Sequence, residues 1–379
     1  MVGVDFATPS SVDRAGNIKF QDFLPFYVSG RLASQQRAAD LYNRSTTAQI
    51  MREIVPESSR FNLPILYGPQ VALFFDPLAA LPFFIAALLW TAISTATYAI
   101  CTLLLWRLCP RLWAFSTLAL ILGLAFPPFF HMLVRGQNSA MALACFVAAL
   151  LAFSSDRPYL AGLALGMLVF KPQLAIAALI VMTVTLEGKV LTGFLISAAS
   201  QFGIAWAFAG TATLRAYVDL LWHFRNLLPS IEPSLSDAHC LRAFWEMILP
   251  WPTTAEASYA ISAFFVLAMA IGSWKSYGPL ALRFSSLLVA TVLVSPHLYV
   301  YDLLILAPMF LLLADWLAND LSTNARSSVA VLLYLAFLST LVAPITKFTH
   351  FQFSVPVLFL LQWMLYRILR PAARHLATT

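Results

Sequence analysis

A chain of 379 residues in which 60% are hydrophobic and only 11% charged is excluded from the ordinary soluble class, where about a quarter of residues carry charge. Its net charge of +6 comes from basic residues scattered along the chain, a pattern that fits membrane topology and gives no basis for a nucleic-acid partner. The four cysteines, Cys101, Cys109, Cys145 and Cys240, show no metal-ligand spacing and read as packing residues.

In chain order, residues 1–77 form a first polar block. Within it "FLPFYVSGRLA" (23–33) reads as an amphipathic helix lying on a membrane surface. Asp22 just before it either caps that helix or stands as a general base near the surface. Asn43-Arg44-Ser45 fits the three-residue glycosylation pattern, a weak signal. Asp76-Pro77 reads as an N-cap followed by proline at the first helical position. Apolar spans follow at 78–106, 113–131 and 138–154. The turn "HMLVRGQNSA" (131–140) offers Asn138 or Ser139 as a helix cap, while Arg135 and Gln137 beside Gly136 could equally hold an anion or a sugar hydroxyl.

The stretch 159–187 is apolar except for Lys171-Pro172-Gln173 at its centre. A charge at mid-bilayer costs roughly 2.5–3.5 kcal/mol, so the region is either one helix kinked at Pro172 or two half-spans, 159–170 and 174–186. Charge decides. With the Arg107–Arg111 loop cytoplasmic, two half-spans place Lys189, Lys275, Arg283, Arg326, Arg367, Arg370 and Arg374 inside and leave Lys347 in the short outer loops; one kinked helix reverses the tally. Two half-spans are therefore expected, with Lys171 between their ends. There it would meet a phosphate or merely snorkel to the interface. Gly162 and Gly166 form a small-xxx-small pair for close helix packing.

Further spans are expected at 190–209, 256–274, 279–295, 300–317, 326–346 and 352–370, with a second polar block at 210–255. "SPHLYVYD" (295–302) sets His297, Tyr299, Tyr301 and Asp302 at the mouth of two spans. Tyr299 suits an interfacial belt and Asp302 a helix start. The expected fold is an all-α polytopic transmembrane bundle of about ten or eleven membrane segments. It divides into an extracytoplasmic loop (1–77), a transmembrane core (78–209), a second outer loop (210–255) and C-terminal transmembrane helices (256–379). An outer location for 1–77 requires an exporting segment, so a first transmembrane helix preceding this chain is expected. No Gly-rich phosphate loop, HExxH, CxxC or nucleophile elbow occurs, which leaves nucleotide hydrolysis unsupported and gives no metal cluster.

The motifs "DFLPFYVSGRLA", "ADLYN", "YGPQVALFFDPLAALPF", "RGQNSAMALACFVAAL", "RPYLAGLALGMLVFKPQLAIAAL" and "SPHLYVYDLLIL" occur in this order between about residues 18 and 310. In order and spacing they resemble glycosyltransferase family 87, polytopic GT-C enzymes that include the mannosyltransferases of phosphatidylinositol-mannoside synthesis. The resemblance implies transfer of a mannose-like hexose from a polyprenyl-phosphate carrier to a lipid or glycan acceptor. The reaction would take place at the outer face of a bacterial inner membrane, without metal or cofactor. It makes Asp22 the general base of the first outer loop. It places His297 in an outer-loop histidine region, and Arg135, Gln137, Asn138, Lys171 and Gln173 in motifs that line the substrate cavity, with Tyr301 and Asp302 beside them. The family carries a helix before its aspartate loop, and this chain departs from it there. The main rival is a secondary transporter of a small anionic or sugar-like solute, which also uses broken helices and midplane charges; no convincing inverted repeat supports it. A structural protein of the envelope would need no such polar residues.

Overall fold

The computed structural model describes residues 11–13, 16–60, 63–232, 234–319, 324–341 and 345–374. The start of the 1–77 block and residues 342–344 of the span expected at 326–346 lie outside the described residues. The chain is all-α. Among the described residues, extended pairing is limited to two isolated bridges, Val12 with Ile18 and Ala238 with Tyr299. Lipid offers no partner for a free N–H or C=O, so apolar segments bond internally as helices.

The helices are α1 (Phe23–Ser34), α2 (Arg44–Ile54), α3 (Pro69–Ala79), α4 (Phe83–Arg107), α5 (Ser116–Leu124), α6 (Pro127–Arg135), α7 (Ser139–Ser154), α8 (Pro158–Gly166) and α9 (Ile176–Val184). They continue with α10 (Gly188–Trp222), α11 (Phe224–Ile231), α12 (Leu241–Ile248), α13 (Pro252–Trp274), α14 (Leu280–Val294), α15 (Ala307–Leu317), α16 (Asn324–Leu341), α17 (Thr346–Thr349) and α18 (Ser354–Arg374). Five stretches are long and apolar enough to cross a membrane alone: α4, α10, α13, Val300–Leu317 and α16. The other expected segments are shorter or interrupted. The span expected at 113–131 is broken between α5 and α6, because Pro127 and Pro128 carry no N–H to donate to the preceding turn. α18 is long enough, but Gln362, Arg367 and Arg370 make it less apolar than the five.

The break at Lys171 is present. Two apolar helical runs, Pro158–Phe170 and Pro172–Val184, meet there. Lys171 adopts φ −133°, ψ 69°, outside the helical region, as proline disfavours helix at the residue before it. Short 3₁₀ turns, Met167–Phe170 and Pro172–Leu174, flank the break. The expected span at 190–209 is the first part of α10, which is interrupted at Gly210 (φ 75°, ψ 173°). Only glycine takes that backbone conformation without strain.

Two expectations at the start of the chain are corrected. Asp76-Pro77 does not open a helix. α3 begins at Pro69 behind Gly68 and runs through Pro77 to Ala79, and α4 starts at Phe83. Pro69 is the proline in the first helical turn. α1 does not present a free apolar face either, since Phe23, Leu24, Phe26, Tyr27, Val28, Leu32 and Ala33 are all buried. The sequon at Asn43 has a plain structural use: its Oδ1 accepts from the Thr46 amide at 3.3 Å, capping α2.

The chain forms two compact units. The first comprises Met1–Ala96, His131–Asn138 and Ala198–Pro233. Its core is aromatic. Phe26 stacks on Phe75 at 4.8 Å between centroids, and Phe23 on Trp90 at 6.4 Å. α1 meets α3 at Gly30, where a Cβ would lie 2.4 Å from the Phe75 carbonyl oxygen.

The second unit comprises Thr97–Phe130, Ser139–Ser197 and Ser234–Thr379. At its centre is α14, whose residues from Phe284 to Val294 are all buried and which packs against α9, α13, α15 and α18. A helix apolar on every side belongs in such a place. The small-residue pair behaves as expected. A Cβ at Gly162 would lie 2.0 Å from the Val190 carbonyl oxygen, and one at Gly166 2.5 Å from that of Phe194. Both partners are backbone atoms and cannot swing aside. Gly162→Val is therefore expected to lower stability by about 1–3 kcal/mol through overpacking, read as a lower melting temperature of the purified protein in detergent.

Candidate active site

In the first unit the polar residues gather at the N-terminal end of α1. Asp22 occupies the N-cap position, yet its carboxylate makes no capping hydrogen bond. Its backbone N–H donates to the Arg135 carbonyl at 3.0 Å, and the Phe20 N–H donates to the Val134 carbonyl at 3.3 Å. These two bonds tie the aspartate segment to the end of α6. Gln137 Nε2 donates to Asp22 Oδ2 at 3.1 Å, while Gln137 Oε1 accepts from the Asn138 amide at 3.2 Å. The Gln137 amide is thus held at both ends, which fixes its donor on the carboxylate. Arg135 Nη1 stands 3.9 Å from Asp22 Oδ1. That pair is loose and partly solvated: the side chains are 44% and 17% exposed, a setting in which an ion pair adds little stability.

"RGQN" folds this way because Gly136 ends α6. Its φ is 71°, the left-handed conformation typical of the residue after a helix. A Cβ there would lie 2.7 Å from Phe23 Cβ, so glycine is needed for space as well as for φ. The Gly136 carbonyl accepts from Trp90 Nε1 at 3.1 Å. Asp22, Arg135, Gln137 and Asn138, four of the expected residues, are therefore brought together. The structure assigns Asp22 a different environment from the capping alternative. One carboxylate oxygen is hydrogen-bonded to an amide, the other faces a guanidinium at longer range, and the group keeps some exposure.

In the second unit Lys171 does not snorkel. It is buried, and its Nζ lies 2.5 Å from Asp302 Oδ1. The same oxygen accepts from Ser139 Oγ at 2.6 Å. Asp302 is in the first turn of the 3₁₀ run Val300–Leu306, so the helix-start position expected for it holds, with a cation added. The Asp302 carboxylate thus supplies Lys171 with a counter-charge inside the bundle. Asp302 Oδ2 is buried without a hydrogen-bond partner. Lys171 Nζ also lies 5.5 Å from the centre of the Tyr301 ring, within cation–π range. Tyr301 continues to Tyr299 at 5.6 Å and Tyr299 to His297 at 5.1 Å, edge to face. Lys171, Tyr301, Asp302 and His297 thus form one connected row. Gln173 is half-buried in the 3₁₀ turn after Pro172.

Sequence reasoning missed Ser139 as a ligand of Asp302 and the whole of residues 238–242, which hold the His297 segment. The bonds involved join residues 54 to 163 positions apart, and no local pattern signals them.

The sequence model of glycosyltransferase family 87 matches residues 65–296. That stretch includes Arg135, Gln137, Asn138, Lys171 and Gln173, and leaves Asp22 and the row from His297 to Asp302 outside it. No curated protein and no solved structure matches the chain. A match over more than half the chain, on a bundle of apolar helices broken at a buried lysine, is decisive: this chain belongs to glycosyltransferase family 87.

Proposed function

We propose that this glycosyltransferase takes a mannose-like hexose from a polyprenyl-phosphate carrier and passes it to a hydroxyl of a lipid or glycan at the outer face of a bacterial inner membrane. The observation that carries the reading is the Asp22 carboxylate. It is spared from helix capping, oriented by Gln137 and partly open. In the reaction Asp22 accepts the proton of the acceptor hydroxyl as that oxygen attacks the anomeric carbon. The bond from that carbon to the carrier phosphate breaks, and the phosphate leaves with the bonding electrons. Its added negative charge is met by fixed donors. Arg135, with its forked guanidinium and substantial exposure, suits that task. In the second unit His297 is taken as a donor-binding group on the strength of the family resemblance. The donor is already activated as a phosphate ester, so the scheme uses no metal or cofactor.

The test is direct. Purified protein in detergent, with EDTA present, is given radiolabelled polyprenyl-phosphate mannose and a lipid extract from the source cells. Label is expected in a new lipid or glycan product, at a rate unchanged by the chelator. Transfer from a nucleotide sugar with none from the polyprenyl donor would overturn the reading. Uptake of label into vesicles without a product would favour a transporter.

A further inference from the structure

We propose that Arg242 is a positioning residue for His297: it holds the backbone that sets the imidazole for binding the sugar donor. The inference rests on the reading of His297 as a donor-binding group.

The segment from Ser295 to Tyr299 has no helix to support it, since α14 ends at Val294 and the next 3₁₀ run starts at Val300. Its backbone is instead held at four consecutive residues. The Pro296 carbonyl accepts from Arg242 Nε at 2.5 Å. The His297 carbonyl accepts from Ser295 Oγ at 2.8 Å. The Leu298 carbonyl accepts from the His239 N–H at 2.8 Å. Tyr299 forms an antiparallel bridge with Ala238. The clamp is itself anchored. The His239 ring Nδ1 is 2.8 Å from Ser354 Oγ, and Gln352 Nε2 donates to the carbonyls of Ser236 and Ala238 at 2.9 and 3.1 Å.

Arg242 is the costly member of this set. It lies in the first turn of α12 and is buried, 8% exposed. Its charge is balanced by Glu246 one turn further on, which it also hydrogen-bonds. A neutral donor would satisfy one carbonyl at far lower desolvation cost. The guanidinium adds a fixed angle between its two bonds, one to the Pro296 carbonyl and one to Glu246, which a flexible amine does not provide. The carbonyl it holds immediately precedes His297, so its position sets where the imidazole can lie. The ring is buried against Tyr299, and a shift of the segment would move it relative to a bound donor. Misplacement by about 1 Å is enough to cost on the order of a hundredfold in rate or binding.

The test is a double-mutant cycle on the full-length enzyme, with Arg242→Gln, Arg242→Lys, His297→Gln and the Gln/Gln double variant, each checked by its melting temperature. Arg242→Gln and Arg242→Lys are expected to raise the KM for polyprenyl-phosphate mannose on the order of tenfold, with kcat changed much less. The double variant is expected to be no worse than His297→Gln, because Arg242 acts through it. Ser295→Ala, which removes the neighbouring bond with little risk to folding, gives a smaller rise in the same direction. A wild-type donor KM in both Arg242→Lys and Ser295→Ala would overturn the proposal, as would effects of Arg242→Gln and His297→Gln that multiply. A His297→Gln enzyme with wild-type kinetics would instead remove the donor-binding reading of His297 on which the proposal stands.

Discussion

Replacing Asp22 by Asn is expected to slow sugar transfer by about 10²- to 10⁴-fold, the usual contribution of a general base, while leaving the protein folded. Asparagine has the same shape and keeps a carbonyl oxygen able to accept from Gln137, now at 3.1 Å from the carboxylate. What it loses is the capacity to take a proton. The ion pair given up is the long one to Arg135, 3.9 Å and partly exposed, worth about 0–1 kcal/mol, so the melting temperature should move little. Because proton removal belongs to the transition state, kcat and kcat/KM should fall together and the donor KM should hold. Stability and activity thus separate in one variant. A D22N enzyme that transfers sugar at the wild-type rate would remove Asp22 from the chemistry. A D22N protein that melts far below wild type would show that the carboxylate is mainly structural.

The distance over which an interaction acts decides how much of this was readable from sequence. Lys171-Pro172 announces its own break, because proline constrains the residue beside it, and the structure breaks there. Gly162 and Gly166 are four residues apart on one helix face, and both meet the backbone of α10. Where two local signals competed, the reading went wrong: Pro69 and Pro77 each precede an apolar run, and α3 starts at the first. Pro127-Pro128 was a visible break inside a run read as continuous. The partners of the charged groups were illegible for a different reason. Lys171 and Asp302 are 131 residues apart, and Asp22 and Gln137 are 115 apart. Both members of each pair could be singled out as polar residues lacking an excuse in an apolar chain. Only the packing of helices determines which one faces which.

The pairing of Lys171 with Asp302 leads to the second large effect. Side-chain exposures of 3% and 1% leave neither charge any water to turn to if the other is removed. Lys171→Met alone and Asp302→Leu alone should each cost about 3–5 kcal/mol, a large share of a typical folding stability of roughly 5–15 kcal/mol. Asp302→Leu should be the worse, because it strands a cation and also deprives Ser139 Oγ of its acceptor at 2.6 Å. The double variant should recover most of the lost melting temperature, since replacing a whole buried pair by apolar groups of similar volume is often neutral or better. Thermal unfolding of the four proteins in one detergent measures this. Two single variants that melt like wild type would mean that water reaches the pair. Activity adds an independent readout. If the pair only stabilises the bundle, the double variant transfers sugar normally. If the pair also serves the reaction, the double variant is stable and slow.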